Sequence, residues 1–232
     1  MTDHPPLRTY GRIKARTLKP RQAGLVEVLL PHLAVPEAGA LDLDALFPDL
    51  PGAFSVLEVG FGGGEHLVAQ AGAHPEARFI GVEPFLNGVA SCLRHIEESG
   101  VQNVRLHQGD ARDVVARLPD ASLDRVDSLF PDPWPKKRHW KRRLIQAAFA
   151  ADLARVLKPG GEVRFATDWA NYASWTLDVF VRSPCFTWAA ERAADWRCSW
   201  PEHVTTRYEQ KRLGDCAPIW LRFVRHVSAP KS

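Results

Sequence analysis

What the 232-residue chain lacks narrows its class first. Its four cysteines, Cys92, Cys185, Cys198 and Cys216, form no C-x-x-C pair, which argues against a zinc ribbon. Their wide spacing also offers no disulfide framework, so reduced thiols are the simplest reading. No apolar run reaches the roughly 18 residues that a membrane-crossing helix needs. The N-terminus is polar and proline-rich, unlike a signal peptide. A soluble, cytoplasmic protein with no membrane partner and no metal is expected. No internal repeat is visible. A large excess of one charge is also missing: the net charge is +3, so where the charges cluster matters more than their sum.

What is present fits one α/β domain with a full core, or such a domain plus a tail, at 45% hydrophobic and 25% charged residues. Residues 1–21 are basic and poor in apolar side chains, and read as a flexible arm for an acidic partner. Residues 22–53 read as a helix (Gln22 to Pro31) and a Pro/Gly/Asp-rich connection. From residue 54 to 232, short apolar runs alternate with helical stretches. Strands are expected at Ser55–Gly60, Arg78–Glu83, Val104–Gln108, Leu123–Phe130, Glu162–Thr167 and Ile219–Val227. Helices are expected at the glycine-turn end (EHLVAQAGA), after Pro84 to Ser99, at RDVVARL, at Leu144–Val156 up to a stop at Lys158–Gly161, and at Tyr172–Arg182. The alternation predicts βαβ units and a mainly parallel sheet, with ligands at the strand C-terminal ends.

FPDPWPKKRHWKRR, from Phe130 to Arg143, is the most unusual stretch. Pro131, Pro133 and Pro135 fix φ and remove backbone donors, so a stiff loop must follow the strand. That loop carries Asp132, Trp134 and Trp140, and six Lys/Arg lie between Lys136 and Arg143. Further basic clusters lie at Arg8 to Arg21 and at Arg207 to Arg212. An acid and indoles beside a dense basic run suggest a polyanion brought to a reaction centre; the alternative is a structural turn before a solvated basic segment.

LEVGFGGGE (Leu57–Glu65) is a glycine-rich turn between strand and helix, in which Gly60, Gly62 and Gly64 permit close approach to a ligand. It is not G-x-G-x-x-G, because Glu65 takes the place of the third glycine. A diphosphate there would face Glu58 and Glu65, which disfavours a nicotinamide dehydrogenase. A cationic ligand suits these acids better, and S-adenosylmethionine carries a sulfonium and an ammonium. Glu83 ends the second strand, where it would accept hydrogen bonds from a ribose diol. Asp110 ends the third strand, either to read an adenine amino group or simply to cap RDVVARL.

With LEVGFGGGE, GVEP, GDA, FPDPWPKKRHWKRR, ATDW (Ala166–Trp169) and TTRYEQK (Thr205–Lys211) in hand, the chain resembles the tRNA (guanine-N7-)-methyltransferase family. The likeness runs from about Leu57 to His226, and RTLKPRQ (Arg16–Gln22) extends it more weakly into the arm. It implies a Rossmann-like class I methyltransferase fold: a mainly parallel seven-stranded sheet, helices on both faces and a terminal antiparallel strand. It implies methyl transfer from S-adenosylmethionine to N7 of a guanine in the tRNA variable loop, at position 46 in the family. It also implies that Glu58, Gly60, Gly62, Glu83, Asp110 and Asp132 bind or border the donor, with Asp132 the catalytic group. Lys136, Asp168, Thr206, Arg207, Tyr208 and Glu209 would face the tRNA. The family commonly reads T-K-F-E where this chain has Thr206–Arg207–Tyr208–Glu209.

N7 of guanine offers a lone pair, so no general base is needed and placement dominates. Asp132 and Asp168 are expected to hold the base's donors and face its growing positive charge. Trp134 and Trp169 either stack on the base or pack into the core. Lys136, Arg138, Arg142 and Arg143, with Arg12, Arg16 and Lys19 of the arm, are expected to grip phosphates. His139 is expected to be structural or to touch a phosphate. The other readings are a small-molecule or protein methyltransferase on the same fold, and an RNA-binding protein with an idle donor site. Monomer and homodimer are both compatible with the sequence.

Overall fold

The computed structural model describes residues 17–226. Seven strands form one sheet: β1 (Ser55–Val59), β2 (Arg78–Val82), β3 (Val104–His107), β4 (Leu123–Leu129), β5 (Leu157–Thr167), β6 (Phe186–Trp188) and β7 (Ile219–Arg225). Their order is β3-β2-β1-β4-β5-β7-β6. β1 to β5 pair in parallel, and β7 runs antiparallel to both β5 and β6. The Rossmann-like methyltransferase architecture expected from the sequence is therefore present, and its terminal antiparallel strand, β7, lies between β5 and β6.

β1 and β2 are buried along their whole length, as strands covered on both faces must be. The period of two distributes their side chains between two apolar layers. Leu57, Val59, Ile80 and Val82 enter one, and Val56 and Phe79 enter the other. The helices are α1 (Pro20–Val28), α2 (Leu30–Leu33), α3 (Leu43–Leu46), α4 (Glu65–Ala73), α5 (Leu86–Ser99), α6 (Ala111–Arg117), α7 (Ala147–Val156), α8 (Ala170–Val181), α9 (Ala194–Arg197) and α10 (Arg207–Lys211). α4 and α5 cover one face through Leu67, Val89, Leu93 and Ile96. α6, α7 and α8 cover the other through Val114, Phe149, Leu153, Tyr172 and Phe180. Each such side chain contributes about 1.5–3 kcal/mol by leaving water. Residues 22–53 are packed into both layers: Leu25 and Leu33 join one, and Val35, Leu41, Leu43 and Phe47 the other.

Three boundaries differ most from expectation. α7 starts at Ala147 rather than Leu144, because Leu144 and Ile145 finish the basic loop. KPGG is not a gap before β5: Leu157 already pairs with Leu123, and the register shifts before Arg125 meets Glu162. α1 ends at Val28, and the chain turns at Leu29 into a separate short helix. Val227 and most of the basic arm, Arg12 and Arg16 included, lie outside the described residues. Among the described residues no helix is long and apolar enough to cross a membrane. Among them, too, no group of three or more His, Cys, Asp or Glu is arranged to hold a metal.

Candidate active site

The sheet order changes direction at β1, flanked by β2 and β4, and a crevice opens above the carboxyl ends of these strands. It is a cleft of about 590 Å³, within the range of small-molecule sites. Glu58, Gly60, Gly62, Glu83, Asp110, Asp132, Thr206, Arg207 and Tyr208 all line it. Nine of the expected site residues are thus drawn together from five separate segments of the chain. Lys136, Asp168 and Glu209 are not among the lining residues.

The turn after β1 works because glycine accepts left-handed backbone. Gly62 has φ +57° and donates its N–H to Glu83 Oε2 at 2.9 Å, tying the β1 and β2 loops together. Gly64, at φ +81°, is in addition so close to Cys92 of α5 that a side chain there would collide with it. Glu83 Oε1 accepts from Phe85 N–H at 2.9 Å. Each Glu83 oxygen keeps a second lone pair for a ligand hydroxyl. Burial pushes this carboxyl up, its two backbone hydrogen bonds pull it back, and the charge of Asp132 adds to the rise. Glu58, at the end of β1, is buried and bonded to His66 Nδ1 at 2.9 Å. Asp110 does cap α6, through Arg112 N–H at 2.9 Å, while still lining the cleft. Burial pushes its carboxyl up, but bonds to Arg112, including Nε at 2.8 Å, bring it below the ordinary value. The capping and ligand readings of Asp110 are therefore compatible.

The proline loop approaches from the β4 side. Its stem and its tip carry left-handed non-glycine residues, Phe130 at φ +52° and Trp134 at φ +44°. Such backbone costs about 1–3 kcal/mol each and persists only where the surroundings enforce it. Between them Asp132 faces the open cleft, where desolvation by the surrounding walls raises its carboxyl above the ordinary value. Trp134 lines the cleft, with the Arg142 guanidinium 5.0 Å from its ring centroid and the His139 ring edge-on at 5.9 Å. Slight desolvation and the charges of Arg142, Arg138, Lys136 and Lys141 hold His139 below its ordinary value. Trp169, by contrast, packs against the larger core layer.

Arg143 corrects an expectation. It does not reach for phosphate but is buried, 2% exposed, beneath the loop. Its guanidinium lies 4.8 Å from the ring centroids of both Trp140 and Tyr172. It donates from Nε to the Pro133 carbonyl at 2.9 Å and from Nη2 to Asn171 Oδ1 at 2.6 Å. A cation in the basic run is thus the post on which the proline loop is hung. Lys136, Lys137, Arg138 and Lys141 are exposed and face solvent.

Asp168 directly follows β5, which pairs beside β4, the strand that leads to Asp132 (Leu129 opposite Ala166), and Asp168 is buried. Its Oδ2 accepts from Gly214 N–H at 2.9 Å and its carbonyl from Asp215 and Cys216. It clamps the segment after α10. Thr206 caps α10, and Glu209 returns to Thr206 N–H at 2.8 Å in a capping box. Arg207 forms an ion pair with Glu65 at 3.0 Å, closing one lip of the cleft. Sequence reasoning missed His66 and His203, which lie behind these groups. The only signal was the spacing of eight residues from Glu58 to His66, and no motif marks it.

The donor chemistry fits this set. Carboxylates at three strand ends, with the glycine turn, suit a ligand with cationic and ribose groups and repel a diphosphate.

The family described as "Putative methyltransferase" matches residues 53–220. A protein of Caulobacter vibrioides named tRNA (guanine-N(7)-)-methyltransferase is 58% identical over 96% of this chain and 96% of its own length. One of the same name from Nitrobacter hamburgensis is 50% identical over 96% of this chain and 88% of its own. Among solved structures, a mutant 16S rRNA (adenine(1408)-N(1))-methyltransferase of Catenulisporales acidiphilia with its cosubstrate SAM is similar. It covers 83% of this chain and 94% of that one, with TM-score 0.54 and 21% identity. A precorrin-6y C5,15-methyltransferase of Geobacter metallireducens is similar with TM-score 0.51 and 13% identity, over 91% and 93% of the two chains. At such identities these two speak for the fold alone.

Proposed function

The chain belongs to the tRNA (guanine-N(7)-)-methyltransferase family, and from that premise we propose that it methylates N7 of a guanine in the variable loop of tRNA, at position 46. S-Adenosylmethionine, when bound, supplies an electrophilic methyl group on a sulfonium. The supporting observation is that the proline loop carries Asp132 into the same cleft as the glycine turn. A base admitted beside Trp134 would meet a carboxylate at the point where it gains positive charge.

In this reading Glu58 faces the donor's cationic groups, Glu83 holds the ribose and Asp110 borders the adenine. N7 already presents a lone pair, so no residue need remove a proton before attack. Alignment of the acceptor with the donor can contribute about 7–11 kcal/mol. Asp132 opposes the charge that develops on the guanine, a preorganised electrostatic role. Thr206, Arg207 and Tyr208 form the opposite lip, and Lys136 lies outside on the tRNA path. Asp168 and Glu209 act one layer back, by fixing the segment that carries that lip. We take residues 54–232 as the methyltransferase domain, 22–53 as its helical strap and 1–21 as a basic arm for tRNA.

The test is transfer of labelled methyl from S-adenosylmethionine to unmodified tRNA, followed by strand cleavage at N7-methylguanine. Label at a single variable-loop guanine is expected. Label at another nucleotide, or none despite donor binding, would overturn the substrate assignment.

A further inference from the structure

The cleft has a back wall that methyl transfer itself does not use. His66, on the first turn of α4, places Nδ1 2.9 Å from Glu58 Oε2, with both side chains almost fully buried. The His66 ring leans on that of His203, centroids 5.4 Å apart and planes at 32°. His203 in turn sets Nε2 2.8 Å from Glu209 Oε2, where its side chain is 3% exposed. The same Glu209 oxygen accepts from Thr206 N–H at 2.8 Å, and the Thr206 hydroxyl accepts from Glu209 N–H at 3.4 Å. Four side chains thus run without interruption from the carboxylate at the glycine turn to the turn that presents Thr206, Arg207 and Tyr208.

This line is also held laterally. Trp220 packs on His203 with centroids 4.5 Å apart, and on Phe130, the left-handed stem of the proline loop, at 5.7 Å. The other charged groups facing His66 are Asp127 and Arg125 of β4, which form their own ion pair at 3.0 Å. A cation arriving beside Glu58 competes with His66 for that carboxylate. The His66 ring, held less by Glu58, bears on the His203 ring against which it leans, and His203 passes the shift to its bond with Glu209 and so to the capping box.

We propose that His66 and His203 are positioning residues that couple the donor site to the tRNA-facing turn 206–208, so that a cationic donor raises affinity for tRNA. The proposal rests on the reading of Glu58 as the donor's carboxylate. Its consequence is directional. The neutral thioether left after methyl transfer lacks the sulfonium charge, so the turn loosens and modified tRNA departs. Coupling of this kind must be reciprocal, and between two sites is commonly fivefold or more.

The experiment is the affinity of the full chain for unmodified tRNA, measured with saturating S-adenosylhomocysteine and with a non-transferring analogue bearing an ammonium in place of the sulfonium. The expected ratio of affinities is about fivefold or more in favour of the cationic analogue. His66→Gln and His203→Gln should bring that ratio to within about twofold of unity, while each still binds both ligands. Variants that bind both ligands and keep the wild-type ratio overturn the coupling, as does a wild-type ratio of one. Should His66→Gln fail to fold, His203→Gln and the wild-type ratio decide alone. A wild-type protein that binds neither ligand would overturn the donor reading, and this inference with it.

Discussion

Asp132 is exposed toward the cleft yet its carboxyl is raised by desolvation, a combination that arises when a group faces a narrow, partly dry space. Such a charge stabilises a developing cation better than a solvated one. Asp132→Asn keeps the shape and one acceptor but removes the charge. The expected result is a fall in kcat of about 100-fold or more, with donor affinity changed only a few-fold. Steady-state kinetics with direct donor calorimetry will check it, and unchanged turnover would remove the charge role. A second prediction concerns His66. Burial pulls it down, but the charge and hydrogen bond of Glu58, helped by Asp127, more than reverse this, and it ends above 6.5. A raised folded value means that the stabilisation is complete below the unfolded value and is lost as pH rises through the folded one. His95 and His107 are shifted down and act with the opposite sign. The quantity to measure is therefore the wild-type minus His66→Gln difference in unfolding free energy, which should shrink as pH rises from about 6.5 upward. A difference that grows with pH would contradict the assignment. At this scale the acids were legible, because carboxylates at strand ends follow from the βα rhythm. His66 and His203 were not, since 137 positions of chain separate two rings that meet only after the sheet has formed.

Among the elements, the proline loop depends on a residue that composition disguises. Arg143 stands last in a run of cations, and only the packing of Trp140, Tyr172 and Trp175 around its guanidinium distinguishes it from its neighbours. Arginine suits this place because its plane stacks on rings while its fork reaches the Pro133 and Asn171 oxygens. Arg143→Ala leaves both acceptors without it and opens a gap between three rings, so a loss of about 2–4 kcal/mol of stability is expected. Arg143→Lys keeps the charge without the fork, and should recover less than half of that loss. Thermal melts will show the order, and methyl transfer should fall further than donor binding in both variants, because the loop carries Asp132. A melt unchanged in Arg143→Ala would mean that the prolines alone hold the loop. The parallel strands were readable as short apolar or β-branched runs alternating with helical stretches. β6 was not, since its three residues exist as a strand only by pairing with β7. α10 escaped for the same reason of length: five residues are helical because Thr206 and Glu209 cap one another, not because the sequence propagates a helix.

For the whole molecule, the modest charge of +3 conceals its distribution. Lys136, Lys137, Arg138 and Lys141 project from one rim of the cleft, and Lys211 and Arg212 are exposed beside the opposite lip. Acidic side chains are meanwhile drawn inward, to Glu58, Glu83, Asp110 and Asp132. The outside of the site therefore attracts a polyanion, while its floor admits a cation-bearing donor; the two ligands are sorted by depth. A tRNA backbone lying across this rim would release about one counterion for each phosphate neutralised. With roughly four such contacts, raising salt from 50 to 200 mM should weaken tRNA binding by about 50–150-fold. Donor binding, which is inside and involves no phosphate, should change by less than about twofold over the same range. Replacing Lys136, Lys137 and Lys141 together by Ala should flatten the log–log slope by about 2–3, while leaving the donor affinity at its wild-type value. A slope that the triple replacement leaves unchanged would place the tRNA on another face of the molecule. That outcome would separate the acceptor path from the cleft rim, and Asp132 would then have to receive its guanine from the opposite lip, past Arg207 and Tyr208.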